Sequence, residues 1–85
     1  MRHFIVLLEK GPRNYSAYTP SLDGCIATGK TRDEVIANMV EAIQLHLRGM
    51  LEDGEEIPYE EFEAITVVVP EPEPRPALAV ASQGD

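Results

Sequence analysis

The hydrophobic residues of the first thirty positions come in short runs that predict three β-strands. Residues 4–8 are a continuous apolar run, residues 15–19 combine two tyrosines with weak alternation, and residues 25–29 form a third short segment. Sequences rich in Gly, Pro, Asn and Asp separate these runs and are typical of turns. The pattern predicts an antiparallel meander of three strands.

From Thr31 onward the hydrophobic period becomes helical. Thr31 and Glu34 have the spacing of a capping box, and acidic residues in the first turn suit the positive end of the helix dipole. Gly54 and Pro58 suit the end of a helix and the chain beyond it. We therefore predict one amphipathic helix that ends near Asp53. Its apolar face comprises Val35, Ile36, Met39, Val40, Ile43, Leu47, Met50 and Leu51.

Residues 64–69, with the sequence AITVVV, predict a fourth strand that Pro70 ends. A right-handed crossover would place this strand parallel to strand one and beside it. The predicted fold class is α+β with the order β-β-β-α-β, a mixed sheet of strand order 3-2-1-4 and the helix on one face. Residues 1–69 are predicted to form the domain, and the proline-rich acidic residues 70–85 a disordered tail.

Strands one and four are apolar on both faces, although a single helix covers only one face of a sheet. An exposed apolar face and an edge strand both favour association. We therefore predict a homo-oligomer, a dimer or higher, either across the second sheet face or through strand four. An alternative is that the tail folds back over the sheet. The interface residues predicted for strand four are Ile65, Val67, Val68 and Val69.

The chain is acidic, with 15 Asp and Glu residues against 7 Lys and Arg residues and a net charge of -8. This balance argues against binding to a phosphate backbone and favours a basic protein partner. Solubility alone is the alternative explanation. Cys25 is the only cysteine, and the apolar run at residues 4–8 is too short for a secretion signal or a membrane span. We expect a cytoplasmic protein without membrane association.

The residues that carry catalytic chemistry are scattered. His3 and His46 fall on separate predicted elements, Cys25 is interpreted as a small buried hydrophobic residue, and no carboxylate lies within a predicted strand. Two histidines without a third ligand do not make a metal site. The sequence predicts a protein that is not an enzyme and holds no metal or cofactor.

A partner would be expected to meet the outer face of the helix, where acidic residues surround an apolar anchor, Leu45. The alternative is a solvated face on which Arg48 pairs with Glu41 or Glu52. Tyr15 and Tyr18 are further candidates for partner contact, or else pack within the hairpin. The candidate contact residues on the helix are Glu34, Glu41, Leu45, Arg48, Glu52 and Asp53.

Residues 15–34, with the sequence YSAYTPSLDGCIATGKTRDE, resemble the HicB-like antitoxin family, and the resemblance extends to Val69. It implies a partial ribonuclease-H-like fold and frequent oligomerisation. It also implies binding to a small, basic, mRNA-cleaving HicA-like toxin whose active site the antitoxin masks. The residues that carry the family pattern are Pro20, Gly24, Cys25, Gly29 and Thr31.

The chain departs from the resemblance after Val69. Many members of this family have a carboxy-terminal DNA-binding module, whereas here a proline-rich stretch follows with Arg75 as its only basic residue. Direct DNA binding is therefore not expected. The predicted function is that of a stand-alone antitoxin-like module, and the alternative is an orphan homo-oligomeric domain. A residual nuclease, suggested by the implied fold alone, is disfavoured because no strand carries a central carboxylate.

Overall fold

Three antiparallel strands and one helix make up the regular structure of the computed structural model, which describes residues 1–74. The strands are β1 (Leu7–Lys10), β2 (Tyr15–Tyr18) and β3 (Ile26–Gly29), and the helix is α1 (Arg32–Glu52). The sheet order is β1-β2-β3, with Ala17 paired with both Leu8 and Ala27. The predicted α+β class and the meander are confirmed.

The helix begins and ends as the sequence predicts. Thr31 Oγ1 accepts a hydrogen bond of 3.0 Å from the Glu34 N–H, and the Glu34 carboxylate accepts one of 2.6 Å from the Lys30 N–H. At the other end Gly54 has a φ of 76°, and the Glu55 N–H donates to the Met50 carbonyl at 2.8 Å. Two local hydrogen-bond networks therefore fix the length of α1.

The core lies between α1 and the β2–β3 side of the sheet. Burial raises the pKa of the Cys25 thiol above its ordinary value, which agrees with a structural role for this residue. Leu22 belongs to the same core, so the loop between β2 and β3 is packed and not merely a connection. The buried apolar residues are Ala17, Leu22, Cys25, Val35 and Met39.

Gly29 allows the close approach of helix and sheet. A Cβ atom at this position would lie 2.6 Å from the backbone nitrogen of Val35 and 2.9 Å from its Cα. Since both atoms are backbone, a side chain here would displace the helix itself. The helix packs on β3 and β2, and β1 is left at the margin of the helix-covered face.

The predicted fourth strand is wrong for the single chain: within residues 1–74, no strand follows α1. The reason lies in the preceding segment, where Glu60 accepts a hydrogen bond from the Ile5 N–H at the end of the sheet. Residues 64–69 are exposed, and the first two of them, Ala64 and Ile65, line a pocket together with Ile5, Leu7 and Pro20. The sheet order 3-2-1-4 is therefore not formed within one copy, and one edge of β1 has no neighbour among the described residues.

The same hydrogen bond explains why β1 begins at Leu7 and not at Phe4. Extending the observed register of Leu7 with Tyr18 would place Ile5 opposite Pro20, which has no N–H to donate. Pro20 therefore cannot donate to the Ile5 carbonyl, and the Ile5 N–H donates to the Glu60 carboxylate. The apolar run therefore starts at Phe4 as partly buried but irregular chain, and strand pairing begins only at Leu7.

Candidate partner-binding site

Helical geometry brings the predicted acidic residues onto one exposed stripe of α1. Positions 34, 41, 45, 48 and 52 are separated by steps of seven, four, three and four residues, which places them along one side of a helix. Leu45 is 62% exposed, a large value for an apolar residue in the middle of a helix. Arg48 and Asp53 are exposed as well.

Glu34 differs from the other members of the stripe. Its carboxylate accepts the 2.6 Å hydrogen bond from the Lys30 N–H and so completes the helix cap. A carboxylate held in this way mainly stabilises the first turn of α1. We therefore assign Glu34 to the helix cap.

The carboxy-terminal half of the stripe borders a cleft of about 610 Å³. One wall is α1, and the other is the loop that carries Ser21, Leu22 and Asp23. Leu45 and Asp53 line this cleft, so the structure brings together two of the residues that the sequence singled out. The remaining members of the stripe, Glu41, Arg48 and Glu52, are exposed and lie outside the cleft.

Seven of the nine residues that line the cleft were not predicted from the sequence to contact a partner. His46 and Met50 line it from the helix, and Asp23 and Glu55 add carboxylates at either side. Gly49 also lines the cleft, and open space surrounds the position that its Cβ atom would occupy. A glycine inside an amphipathic helix was the sequence feature that could have indicated this opening.

The lining of the cleft combines apolar side chains with carboxylates, and the carboxylates are here called its rim. Leu22, Leu45 and Met50 supply apolar surface, whereas Asp23, Asp53 and Glu55 supply carboxylates. The last turn of α1 contains no basic residue, so the negative end of the helix dipole is not offset by a cation there. This arrangement suits a Lys or Arg side chain, whose methylene stem packs on apolar surface while its charged head meets carboxylates.

The family-pattern residues build the loop wall of the cleft and its junction with α1. Gly24 has a φ of 76°, a backbone conformation that favours glycine, and Cys25 is buried directly after it. Gly29 and Thr31 fix where the helix begins and how closely it packs. Pro20 is partly buried at the start of the loop. These residues are structural in this fold.

The two tyrosines differ in environment. Tyr15 is partly buried and packs against the core, which favours the structural interpretation for this residue. Tyr18 is 47% exposed and pairs in register with Leu7 on one side and Ile26 on the other. Because paired residues lie on the same face of a sheet, these three side chains form an exposed apolar row on the face away from α1. Ile26 was not among the contact residues predicted from the sequence.

Two further findings concern the described part of the chain. Residues 1–74 contain no group of three or more His, Cys, Asp or Glu side chains placed to hold a metal ion. Among the same residues, α1 is not apolar enough to cross a membrane.

Comparisons with known proteins agree with this architecture. A UPF0150 protein of Thermoplasma acidophilum is 31% identical over 67 residues, which are 79% of this chain and 97% of that protein. An uncharacterized 14.9 kDa protein of Haemophilus phage HP1 is 42% identical over 53 residues, 62% of this chain. The chain spans only 40% of the length of the phage protein.

A solved structure, the HicA3 and HicB3 toxin-antitoxin complex, contains a chain with a similar fold. The match has a TM-score of 0.57 and 25% sequence identity, and it covers 65% of this chain and 64% of that chain. The family model for the HicB-like antitoxin of bacterial toxin-antitoxin systems matches residues 4–81. The chain belongs to the HicB-like antitoxin family.

Proposed function

We propose that this protein is an antitoxin module that binds a small basic HicA-like toxin and masks the toxin's active site. The observation that carries the proposal is the acid-rimmed cleft beside the carboxy-terminal half of α1. The similarity to a chain of a toxin-antitoxin complex supports the same class of partner. The proposed action is occlusion, without a catalytic step, in the cytoplasm.

Charge complementarity supports a basic partner. The whole chain has a net charge of -8, and the rim residues Asp23, Asp53 and Glu55 concentrate negative charge at one cleft. Glu41 and Glu52 extend this field along the exposed stripe of α1. Complementary fields raise the association rate and weaken with added salt. The same negative field disfavours DNA, so direct DNA binding is not part of the proposal.

Leu45 is the proposed apolar anchor of the interface. It is exposed on α1 and lines the cleft, so a partner residue inserted there would remove it from water. Interfaces commonly draw most of their affinity from a few such central residues inside a polar rim. We expect Leu45 to affect the lifetime of the complex and the rim carboxylates to affect its rate of formation.

The test is calorimetric titration of the full-length protein with an active-site-inactivated HicA-like toxin. Leu45→Ala and the double variant Asp53→Lys/Glu55→Lys should each weaken binding by about tenfold or more, the effect of losing about 1.4 kcal/mol. Glu41→Lys/Glu52→Lys should weaken binding by a smaller factor and should make the loss of affinity with added salt less steep. Glu63→Lys/Glu71→Lys is the matched control, because it makes the same charge change at exposed positions outside α1.

Unchanged affinity for the cleft variants, with the wild type binding tightly, would remove the cleft from the proposal. A wild-type protein that gives no binding heat and exists as a defined oligomer would favour the second candidate function, an orphan homo-oligomeric domain. The exposed row of Leu7, Tyr18 and Ile26 and the exposed residues 64–69 favour that candidate.

A further inference from the structure

The loop between β2 and β3, residues 19–25, forms the second wall of the cleft and is here called the loop wall. Ser21, Leu22 and Asp23 line the cleft from this side. Leu22 is buried in the core, whereas Asp23 is exposed and supplies the one rim carboxylate of this wall. The separation between Asp23 and the rim carboxylates of Asp53 and Glu55 therefore depends on how the loop wall is held.

The hydrogen bonds within the loop wall shape it but do not attach it to the rest of the molecule. The Leu22 N–H donates to the Thr19 carbonyl, and the Cys25 N–H donates to the Leu22 carbonyl, each at 3.3 Å. Both distances are at the long end of the usual range. The Thr19 hydroxyl is buried and has no hydrogen-bond partner within residues 1–74. A polar attachment of the loop wall must therefore come from another side chain.

Ser21 supplies this attachment. Its Oγ donates a hydrogen bond of 2.8 Å to Oε1 of Glu60, which lies 39 positions further along the chain. In the part of the chain that the structure describes, this is the one side-chain hydrogen bond that joins the loop wall to another segment. Ser21 also lines the cleft, so the attachment point belongs to the binding surface itself.

Glu60 is held from two further directions. Its Oε2 accepts a hydrogen bond of 2.6 Å from the Ile5 N–H, and its Oε1 accepts one of 2.9 Å from the Phe62 N–H. These two bonds hold the pKa of the Glu60 carboxyl below its ordinary value, so the carboxylate is charged at neutral pH. Glu60 does not line the cleft, and its contact with the lining is the bond from Ser21.

We propose that Glu60 is a positioning residue for the partner: through Ser21 it holds the loop wall, and with it Asp23, at the separation from α1 that a basic side chain in the cleft requires. The inference rests on the function proposed above and adds to it a residue that the partner does not touch. An ammonium or guanidinium group is bound by carboxylates of both walls only while the walls keep this separation.

Loss of the hydrogen bond between Ser21 and Glu60 leaves the loop wall attached mainly by the buried side chain of Leu22. The wall then spends part of its time away from the position that binds the partner, and the apparent affinity falls with the fraction that remains in place. A hydrogen bond to a charged acceptor can shift such an equilibrium by about tenfold. We therefore expect weaker binding when either member of the bond is removed.

Calorimetric titration of the full-length protein with an active-site-inactivated HicA-like toxin measures this effect. Ser21→Ala and Glu60→Gln should each weaken binding by about three- to tenfold. Because both substitutions remove one hydrogen bond, the double variant Ser21→Ala/Glu60→Gln should bind no more weakly than the weaker of the two single variants. Ser21→Thr keeps the hydroxyl group and should retain most of the affinity.

Two control variants lose the same chemical groups at positions without a bond to the loop wall. Glu61→Gln loses a carboxylate charge next to Glu60, and Ser16→Ala loses a half-buried hydroxyl on β2. Neither residue lines the cleft, and both variants should bind the toxin as the wild type does. Additive losses in the double variant would show that Ser21 and Glu60 act separately. Equal losses in Glu60→Gln and Glu61→Gln would show an effect of charge alone, and either result would overturn the proposal.

Cys25 provides a measurement that requires no toxin. It is the only cysteine of the chain, it ends the loop wall, and its side chain is 4% exposed. Its rate of reaction with an aromatic disulfide reagent therefore reports opening of the loop wall. Ser21→Ala and Glu60→Gln should react about tenfold faster than the wild type. Thr31→Ala weakens the helix cap and leaves the loop wall attached, so it should react much as the wild type does.

Equal reaction rates for Ser21→Ala and the wild type would overturn the positioning role. A rate for Thr31→Ala as high as that of Ser21→Ala would also overturn it, because Cys25 would then become exposed through global unfolding. A wild type that binds no toxin would refute the proposed function, and the reaction rates of Cys25 would still decide whether Glu60 positions the loop wall.

Discussion

The backbone N–H of Ile5 donates a hydrogen bond of 2.6 Å to the carboxylate of Glu60, 55 positions further along the chain. The same carboxylate accepts hydrogen bonds from Ser21 Oγ at 2.8 Å and from the Phe62 N–H at 2.9 Å. Hydrogen bonds to a charged acceptor are stronger than those between neutral groups. One side chain thus joins the amino-terminal segment, the loop after β2 and the segment that leads to residues 64–69.

Replacement of Glu60 by Gln should lower the Tm by several degrees, because a neutral amide accepts more weakly and presents an NH₂ group to one of the three donors. Differential scanning calorimetry of the full-length protein measures the change. Glu61→Gln is the matched control, since Glu61 is an exposed neighbour and undergoes the same loss of charge. Equal Tm values for the two variants would show that the Glu60 hydrogen bonds do not contribute to stability.

Stability should also fall in acid because of Glu60. Hydrogen bonds from the backbone N–H groups of Ile5 and Phe62 hold the pKa of the Glu60 carboxyl below its ordinary value of 4.5. A group with a lowered pKa in the folded state stabilises that state above the ordinary pKa and loses this contribution as the pH falls through the folded-state pKa. Chemical unfolding from pH 7 to pH 3 should therefore show a loss of stability below about pH 4.5 that is smaller in Glu60→Gln.

Gly29→Ala should destabilise the domain by about 1–3 kcal/mol, because the added methyl group would overlap the backbone of Val35 and force α1 away from β3. Gly49→Ala is the control within the same protein. Its Cβ would meet no atom within 4 Å, and alanine is a better helix former than glycine, so it should stabilise α1 by about 0.5–1 kcal/mol. Urea unfolding measures both, and destabilisation by both variants would contradict the packing described for α1.

Thr31→Ala should cost about 0.5–2 kcal/mol of unfolding free energy, because the Glu34 N–H loses its hydrogen-bond acceptor at the helix cap. Thr31→Ser keeps the hydroxyl oxygen and should retain most of the stability. The comparison requires only urea titrations followed by circular dichroism. If the serine variant were as unstable as the alanine variant, the methyl group of Thr31 and not its hydroxyl would be responsible.

The sequence allowed the helix and its neighbourhood to be predicted well, because their determinants are local. The cap formed by Thr31 and Glu34, the stop at Gly54 and the apolar face of α1 all depend on residues within a few positions of each other. The two hairpins could be predicted for the same reason, because each depends on a short turn between neighbouring strands. For the helix cap, the structure was needed only to show that Glu34 accepts from the backbone N–H of Lys30.

The fourth strand could not be placed from local pattern. Residues 64–69 have strong strand propensity, but propensity does not say which edge, or which copy, a strand pairs with. The course of the chain before residues 64–69 depends on Glu60, whose partners Ile5 and Ser21 are distant in sequence. Of the candidate site, Leu45 and Asp53 were found because helical spacing is predictable, whereas the contribution of Asp23 depends on how a loop folds against α1.

The attachment of residues 57–62 to the amino-terminal segment has a kinetic consequence. Arg2 donates from Nη1 to the carbonyls of Ile57 and Pro58, each at 3.3 Å, and lies 4.2 Å from the ring centroid of Tyr59. These contacts and those of Glu60 come from single side chains and not from a strand ladder, so this region opens at lower free energy than β2 or α1. Its amide hydrogens should exchange with solvent ahead of those of the core.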